Sequence, residues 1–266
     1  MADYQTLELC IDHQGLATLW LNRPDKHNAF DAQMITELTG ALEQVRENPR
    51  IRLLVLRGRG KHFSAGADLA WMQASAALDL AANLADAQAL AALMHALHNL
   101  PMPTLALVHG AAYGGALGLV SACDLAIGAA DARFCLSEVR IGLIPAVISP
   151  FVVKAMGERQ ARRYMLTAEP FSGEQAARLG LLHEAAPLAE LEAVLARWVN
   201  HLLLGSPQAL RACKQLLATV VSERSGEQVR QYTETAIARI RVSDEGQEGL
   251  RAFLEKRRPA WQEPNP

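Results

Sequence analysis

Residues 104–128 read T-L-A-L-V-H-G-A-A-Y-G-G-A-L-G-L-V-S-A-C-D-L-A-I-G, and 129–145 continue A-A-D-A-R-F-C-L-S-E-V-R-I-G-L-I-P. Leu105 to Val108 is a short apolar run without helical period, the mark of a buried strand. It runs into His109-Gly110 and, past Tyr113, into the pair Gly114-Gly115. The small-residue segment Ala116 to Cys123 predicts a short buried helix, and Asp124 to Ile127 a second buried strand. Glycines at such a turn let backbone N–H groups approach a ligand closely, and a helix N-terminus favours negative charge there. Further on, Glu138 sits between the apolar segments Phe134-Cys135-Leu136 and Ile141 to Pro145. A partly desolvated carboxylate has a raised pKa and suits proton transfer. Two plainer readings stay open: a purely structural glycine turn, and a strand-end Glu138 paired with Arg140.

Upstream, Leu7, Leu9 and Ile11 alternate with polar residues, and Leu16 to Leu21 returns after Asp12-His13-Gln14-Gly15, so the chain opens with a hairpin. Ile35, Leu38, Leu42 and Val45 recur at helical spacing until Asn48-Pro49. Leu53 to Leu56 is another buried strand, completing a strand–helix–strand unit. It leads to a second small-residue turn, Phe63-Ser64-Ala65-Gly66-Ala67-Asp68. If the turns at 64–66 and 114–115 converge, two N–H groups can aim at one carbonyl oxygen and stabilise charge developing on it. Ala76 to Leu100 is an Ala-rich helix ended by Pro101. Downstream, Val152 to Met165 is periodic, Ser172-Gly173-Glu174-Gln175 has the form of a capping box, and Gly180 suits a helix C-terminus. Ala189 to Leu203, a segment from Ser206-Pro207, one around Val229 to Ile240 and a last one from Asp244 are amphipathic helices. The fold class is α/β, with an α/β core over 1–195 and a helical part over 196–266.

Composition narrows the function. Over 266 residues, half are apolar and a fifth charged, and the net charge of −2 argues against nucleic acid or anionic membrane as the main partner. The basic cluster Lys154, Arg159, Arg162, Arg163 reads as a solvated helix face. Cys10, Cys123, Cys135 and Cys213 show no C-x-x-C spacing, so neither zinc nor a disulfide framework is indicated. No metal site is expected. The N-terminus lacks a basic head and apolar core, and no apolar run reaches membrane-spanning length, so a cytoplasmic protein is expected. Phosphate loops, H-E-x-x-H, G-x-S-x-G and the G-x-G-x-x-G fingerprint are all absent from the sequence.

The segments L-N-R-P-D-K-H-N-A-F (21–30), F-S-A-G-A-D-L (63–69), H-G-A-A-Y-G-G-A-L-G-L-V-S-A-C-D (109–124), A-R-F-C-L-S-E-V-R-I-G-L-I-P (132–145), A-A-R-L-G-L-L (176–182) and A-F-L-E-K-R (252–257) together resemble the crotonase, or enoyl-CoA hydratase, superfamily. The resemblance runs through essentially the whole chain. It implies a spiral of ββα units followed by trimerisation helices, often two trimers forming a homohexamer. It also implies an acyl-CoA substrate and no separate cofactor, since coenzyme A arrives on the substrate. By that resemblance, Ser64 and Gly115 supply the oxyanion-hole N–H groups, and Ala65, Gly66, Ala67 and Asp68 line the coenzyme A site. Arg23 and Lys26 lie near the coenzyme, while Phe253 and Lys256 reach coenzyme A held by a neighbouring subunit.

The chain departs from the family pattern at one decisive place. Hydratases of the family hold water between two glutamates; the second corresponds to Glu138, and the first to Gly118, which has no side chain. The usual I-P-G-A-G-G is I-P-A-V-I-S here (144–149), a bulkier wall. Water activation by two protein carboxylates is therefore excluded. The sequence looks most like the branch that hydrates 3-methylglutaconyl-CoA and isohexenylglutaconyl-CoA in leucine and acyclic-terpene degradation. Glu138 is then the catalytic residue, with Trp71, Met72, Ile144 and Ile148 as the acyl pocket. The competing expectations are a one-glutamate enoyl-CoA isomerase and a non-catalytic acyl-CoA- or RNA-binding homologue.

Overall fold

The structure, a computed structural model, describes residues 4–222 and 226–262. The chain opens with the expected hairpin, β1 (Leu7–Ile11) and β2 (Leu16–Leu21), paired antiparallel. Asp12 closes its turn by accepting the N–H groups of Gln14 and Leu16 through Oδ1. Helix α1 (Ala32–Glu47) starts where Asp31 accepts the Met34 N–H, and it buries Met34, Ile35, Leu38, Leu42 and Val45. β3 (Leu53–Gly58) then lies parallel to β2, closing the first strand–helix–strand unit.

The helix expected over 76–100 is α3 (Leu80–His98), and a further short helix, α2 (Leu69–Ser75), precedes it. Each has its own acidic cap: Asp68 accepts from Ala70 and Trp71, and Asp79 from Ala82. α3 also corrects the expectation about membrane-spanning length. By length and mean hydropathy it is long and apolar enough to cross a bilayer, because alanines raise its hydropathy without forming one unbroken apolar run. Leu93, Met94 and Leu97 point its one buried face into the core.

Next come β4 (Thr104–Val108), β5 (Ala111–Tyr113), α4 (Gly115–Ala122), β6 (Leu125–Ala129) and β7 (Arg133–Cys135). The periodic stretch 152–165 splits into α5 (Ser149–Met156) and α6 (Glu158–Thr167) at Gly157, whose φ of 78° suits glycine. β8 (Phe171–Ser172), α7 (Gly173–Arg178) and β9 (Glu184–Ala186) follow, and Ser172 caps α7 by accepting the Gln175 N–H. One sheet has the order β1-β2-β3-β4-β6-β9, parallel except for the opening hairpin. A second, small sheet has the order β5-β7-β8. β5, β7 and β8 were not expected from the sequence; two or three residues carry no period to read.

α8 (Leu191–Leu204) still belongs to the core, burying Leu191, Leu195 and Val199. Residue 195 falls inside this helix, which ends at Gly205. Beyond it, α9 (Pro207–Ser222) and α10 (Gly226–Val242) bury no residue, and α11 (Asp244–Glu255) buries Ala252.

Candidate active site

After β3 and β4 leave the large sheet, the chain crosses to the small one, and three segments meet there. Ser64 pairs with Ala112, and Phe30 with Ala67, as isolated parallel bridges. The Tyr113 N–H donates to the Ser64 carbonyl at 3.1 Å, the Phe30 N–H to Gly66 at 2.7 Å, and the Asp68 N–H to Phe30 at 2.7 Å. The turns at 64–68 and 113–115 thus converge, as the sequence suggested. Gly66 has φ 91°, and a Cβ there would lie 2.7 Å from the Tyr113 carbonyl oxygen, so only glycine allows this approach.

Convergence also decides which N–H groups are available. The Ser64 N–H donates to the Ala111 carbonyl at 3.0 Å, which removes Ser64 from the expected oxyanion pair. Ser64 is in effect a one-residue strand of the small sheet, and its Oγ accepts the Gly66 N–H at 3.2 Å. The Ala65 N–H is engaged with the His27 carbonyl at 2.9 Å. Among the described residues, no acceptor meets the N–H of Ala67, or that of Gly115 at the first position of α4. These two give one free donor on each of the converging turns.

Glu138 opens a short 3₁₀ turn, Glu138–Ile141, beside this junction. Its Oε1 would lie 3.2 Å from a Cβ placed on Gly114, so the carboxyl abuts the glycine turn directly. Its Oε2 is buried and has no hydrogen-bond partner among the described residues. Burial pushes the carboxyl above the usual carboxylate range, and a hydrogen bond from its own backbone only partly opposes this. Arg140 is exposed, and no ion pair joins it to Glu138 among the described residues. The surface-pair reading of Glu138 does not describe this arrangement.

Gly118 lies one helical turn beyond Gly114, on the same face of α4. A Cβ there would overlap Ile148 Cγ2 and lie 2.9 Å from Ile148 Cβ and 3.1 Å from Met94 Cε. The place of the family's first glutamate is filled with hydrocarbon. Met94, which the sequence did not single out, is the second half of that filling; its only sequence signal is the apolar face of α3.

The other expected residues divide. Arg23 is held by Asp31 at 3.0 Å, Asp68 at 3.3 Å and the Ala29 carbonyl at 2.7 Å, so it fastens the 21–30 loop to the 64–68 turn. For Asp68, burial raises the pKa, but the Ala70 and Trp71 N–H groups and Arg23 outweigh it and hold the carboxyl low. Lys26 is exposed. Trp71 and Met72 are half-buried on α2, Ile148 is 2% exposed, and Ile144 is 73% exposed at the surface. Phe253 is 81% exposed on α11, which packs on α9 and α10, and Lys256 follows it. A cavity of about 590 Å³ between α9 and the core holds none of these residues. In the basic cluster, Arg162 pairs with Glu158 and Arg163 with Glu169, as on a solvated helix face. Among the described residues, no group of His, Cys, Asp and Glu is arranged to hold a metal ion.

Residues 12–264 match the model of the enoyl-CoA hydratase/isomerase family. The chain belongs to that family. It is similar to an enoyl-CoA hydratase crystal structure from Shewanella pealeana, at 48% identity and TM-score 0.93, covering 97% of both chains. The structure of Pseudomonas aeruginosa AtuE is also similar, at 38% identity and TM-score 0.93, covering 97% of this chain and 100% of that one. A hydroxycinnamoyl-CoA hydratase-lyase of Pseudomonas fluorescens is 33% identical over 258 residues, 95% of this chain and 93% of that protein. The fold is therefore the crotonase fold with its helical C-terminal region, and the chain is an enzyme of the enoyl-CoA hydratase/isomerase type acting on acyl-CoA.

Proposed function

We propose that the enzyme is a hydratase that adds water across the α,β double bond of a branched, carboxylated enoyl-CoA. The observation that carries this reading is the half-buried, uncompensated carboxyl of Glu138 beside the two free N–H groups. The thioester oxygen sits between the N–H groups of Ala67 and Gly115. As water oxygen bonds to the β-carbon, the π electrons shift onto the thioester oxygen, and Glu138 places a proton on the α-carbon. The proton lost by water restores Glu138. Removing one oxyanion donor in such sites costs about 3–4 kcal/mol of transition-state stabilisation.

With Gly118 offering no base, the water needs a second polar group. A distal carboxylate on the substrate, as in 3-methylglutaconyl-CoA or isohexenylglutaconyl-CoA, supplies one, which fits leucine or acyclic-terpene degradation. The cytoplasm is part of the same proposal. All four cysteines are free, in keeping with a reducing compartment.

The single carboxyl also favours a second reading, an isomerase in which Glu138 takes a proton from one carbon and returns it to another. Product analysis in H₂¹⁸O with both glutaconyl-type substrates separates them. Label in the product establishes hydration, and turnover without label establishes isomerisation. A substrate whose distal carboxylate is esterified should react more slowly; unchanged turnover would remove that group from the mechanism.

A further inference from the structure

The proposed function leaves open why the family's first carboxylate is absent. The packing at Gly118 gives the reason. A side chain there has no room, because Ile148 and Met94 close the space its Cβ would enter. Ile148 is itself fixed. It is 2% exposed, stands immediately before α5, and its carbonyl accepts the N–H groups of Phe151 and Val152 at 3.1 Å each. Gly118 is buried within α4 and sits one turn from Gly114, against which the Glu138 carboxyl lies. A carboxylate at position 118 would share that helix face with the Glu138 contact, where a second base would be needed.

We infer that Ile148 is the specificity-determining residue of this site. It excludes a second protein base at position 118 and restricts the enzyme to substrates that bring their own polar group. The inference rests on the single-carboxylate reading above. Ile148 touches neither proton in transit. It acts through the volume it occupies, and the wall it presents is apolar where a two-carboxylate site has an ion.

Two consequences separate this role from ordinary core packing. The first is a packing coupling. Gly118→Ala should lower Tm by about 5 °C through overlap with Ile148, and Ile148→Ala in the same chain should restore most of that loss. The second is a gain of chemistry. Gly118→Glu alone should fold poorly or stay inactive. Gly118→Glu with Ile148→Gly admits a carboxylate that can take the proton from water while Glu138 delivers the other to the α-carbon. Hydration of a straight-chain 2-enoyl-CoA without a distal carboxylate should then rise by about a hundredfold over wild type. Its pH profile should change from one governing ionisation to a bell.

The experiment measures Tm for the alanine cycle and kcat/KM, with ¹⁸O incorporation, for crotonyl-CoA across wild type, both single variants and the double variant. A positive Tm coupling with hydration gained only in the double variant supports the inference. A Gly118→Ala variant as stable as wild type overturns it, as does a double variant that folds and gains less than about tenfold. If wild type turns over no glutaconyl-type substrate, the proposed substrate class fails. The gain or absence of crotonyl-CoA hydration in the double variant still decides the role of Ile148.

Discussion

Burial takes the Glu138 carboxyl out of water, and among the described residues no ion pair compensates it, so its pKa is higher folded than unfolded. The sign of the linked stability follows. The folded pKa is raised above the unfolded value, so this group's contribution is fully present below the unfolded pKa and is lost as pH rises through the folded pKa. Glu138→Gln is neutral at every pH and escapes that loss. Its Tm should match wild type below the ordinary carboxylate range, exceed it as pH rises through the raised folded pKa, and hold a constant excess above that. A difference that stays constant throughout that rise in pH would mean the carboxyl ionises as in water. The same variant should keep acyl-CoA binding and lose about 10²–10⁴ in kcat/KM; retained activity would remove Glu138 from the chemistry. Glu138 was legible in the sequence as a carboxylate set between apolar segments. The donor pair was only half legible. The resemblance implies Ser64, and in sequence a single extended residue bridged to Ala112 looks the same as a turn residue with a free N–H. Alanine carries no side-chain signal of a free N–H, and only the pairing of its neighbours reveals it.

At the scale of elements, the legible parts are those with a long period or a strong cap: α1, the opening hairpin, β3, β4, α7 and the C-terminal helices. What was missed is set by tertiary contact. β5, β7 and β8 exist because the chain must cross between sheets, and Gly157 breaks a helix that apolar spacing alone would continue. The attachment of α9 to the core makes a sharper test. Thr104 is wholly buried at the start of β4 and donates its N–H and hydroxyl to Asp124 Oδ2 at 2.8 and 3.0 Å. The Asp124 N–H returns a bond to Thr104 Oγ1 at 2.9 Å, and Lys214 of α9 reaches Asp124 Oδ2 at 2.7 Å. Asp124→Ala orphans the buried Thr104 N–H, which costs about 1–3 kcal/mol. Lys214→Met removes only a part-exposed ion pair, worth about 1 kcal/mol or less. Urea unfolding should therefore show the larger midpoint loss for Asp124→Ala. Equal losses would mean that the tie to α9, rather than the Thr104 bonds, carries the stability of this corner.

At the scale of the molecule, α9, α10 and α11 present Leu217, Val221, Ile237, Val242, Phe253 and Leu254 to solvent. Large exposed apolar surface of this kind marks an interaction site, and the family resemblance names its occupant as further copies of the chain. Sedimentation should find trimers or hexamers, and Phe253→Asp with Leu254→Asp should shift them toward monomer. The resemblance further implies that Phe253 and Lys256 reach the coenzyme A of a neighbouring subunit, so each site would draw on two chains. Mixing two defective proteins tests that arrangement. Glu138→Gln lacks the carboxyl but keeps the C-terminal contacts, while Phe253→Ala with Lys256→Ala keeps the carboxyl and loses them. Each alone should be slow, the first through kcat and the second through KM. After subunit exchange, some sites combine an intact Glu138 from one chain with intact Phe253 and Lys256 from its neighbour. Those sites should restore wild-type KM to part of the population, so the mixture should exceed the mean of its components at low substrate. A mixture that only averages the two would confine each active site to one subunit and leave Phe253 and Lys256 with the assembly alone.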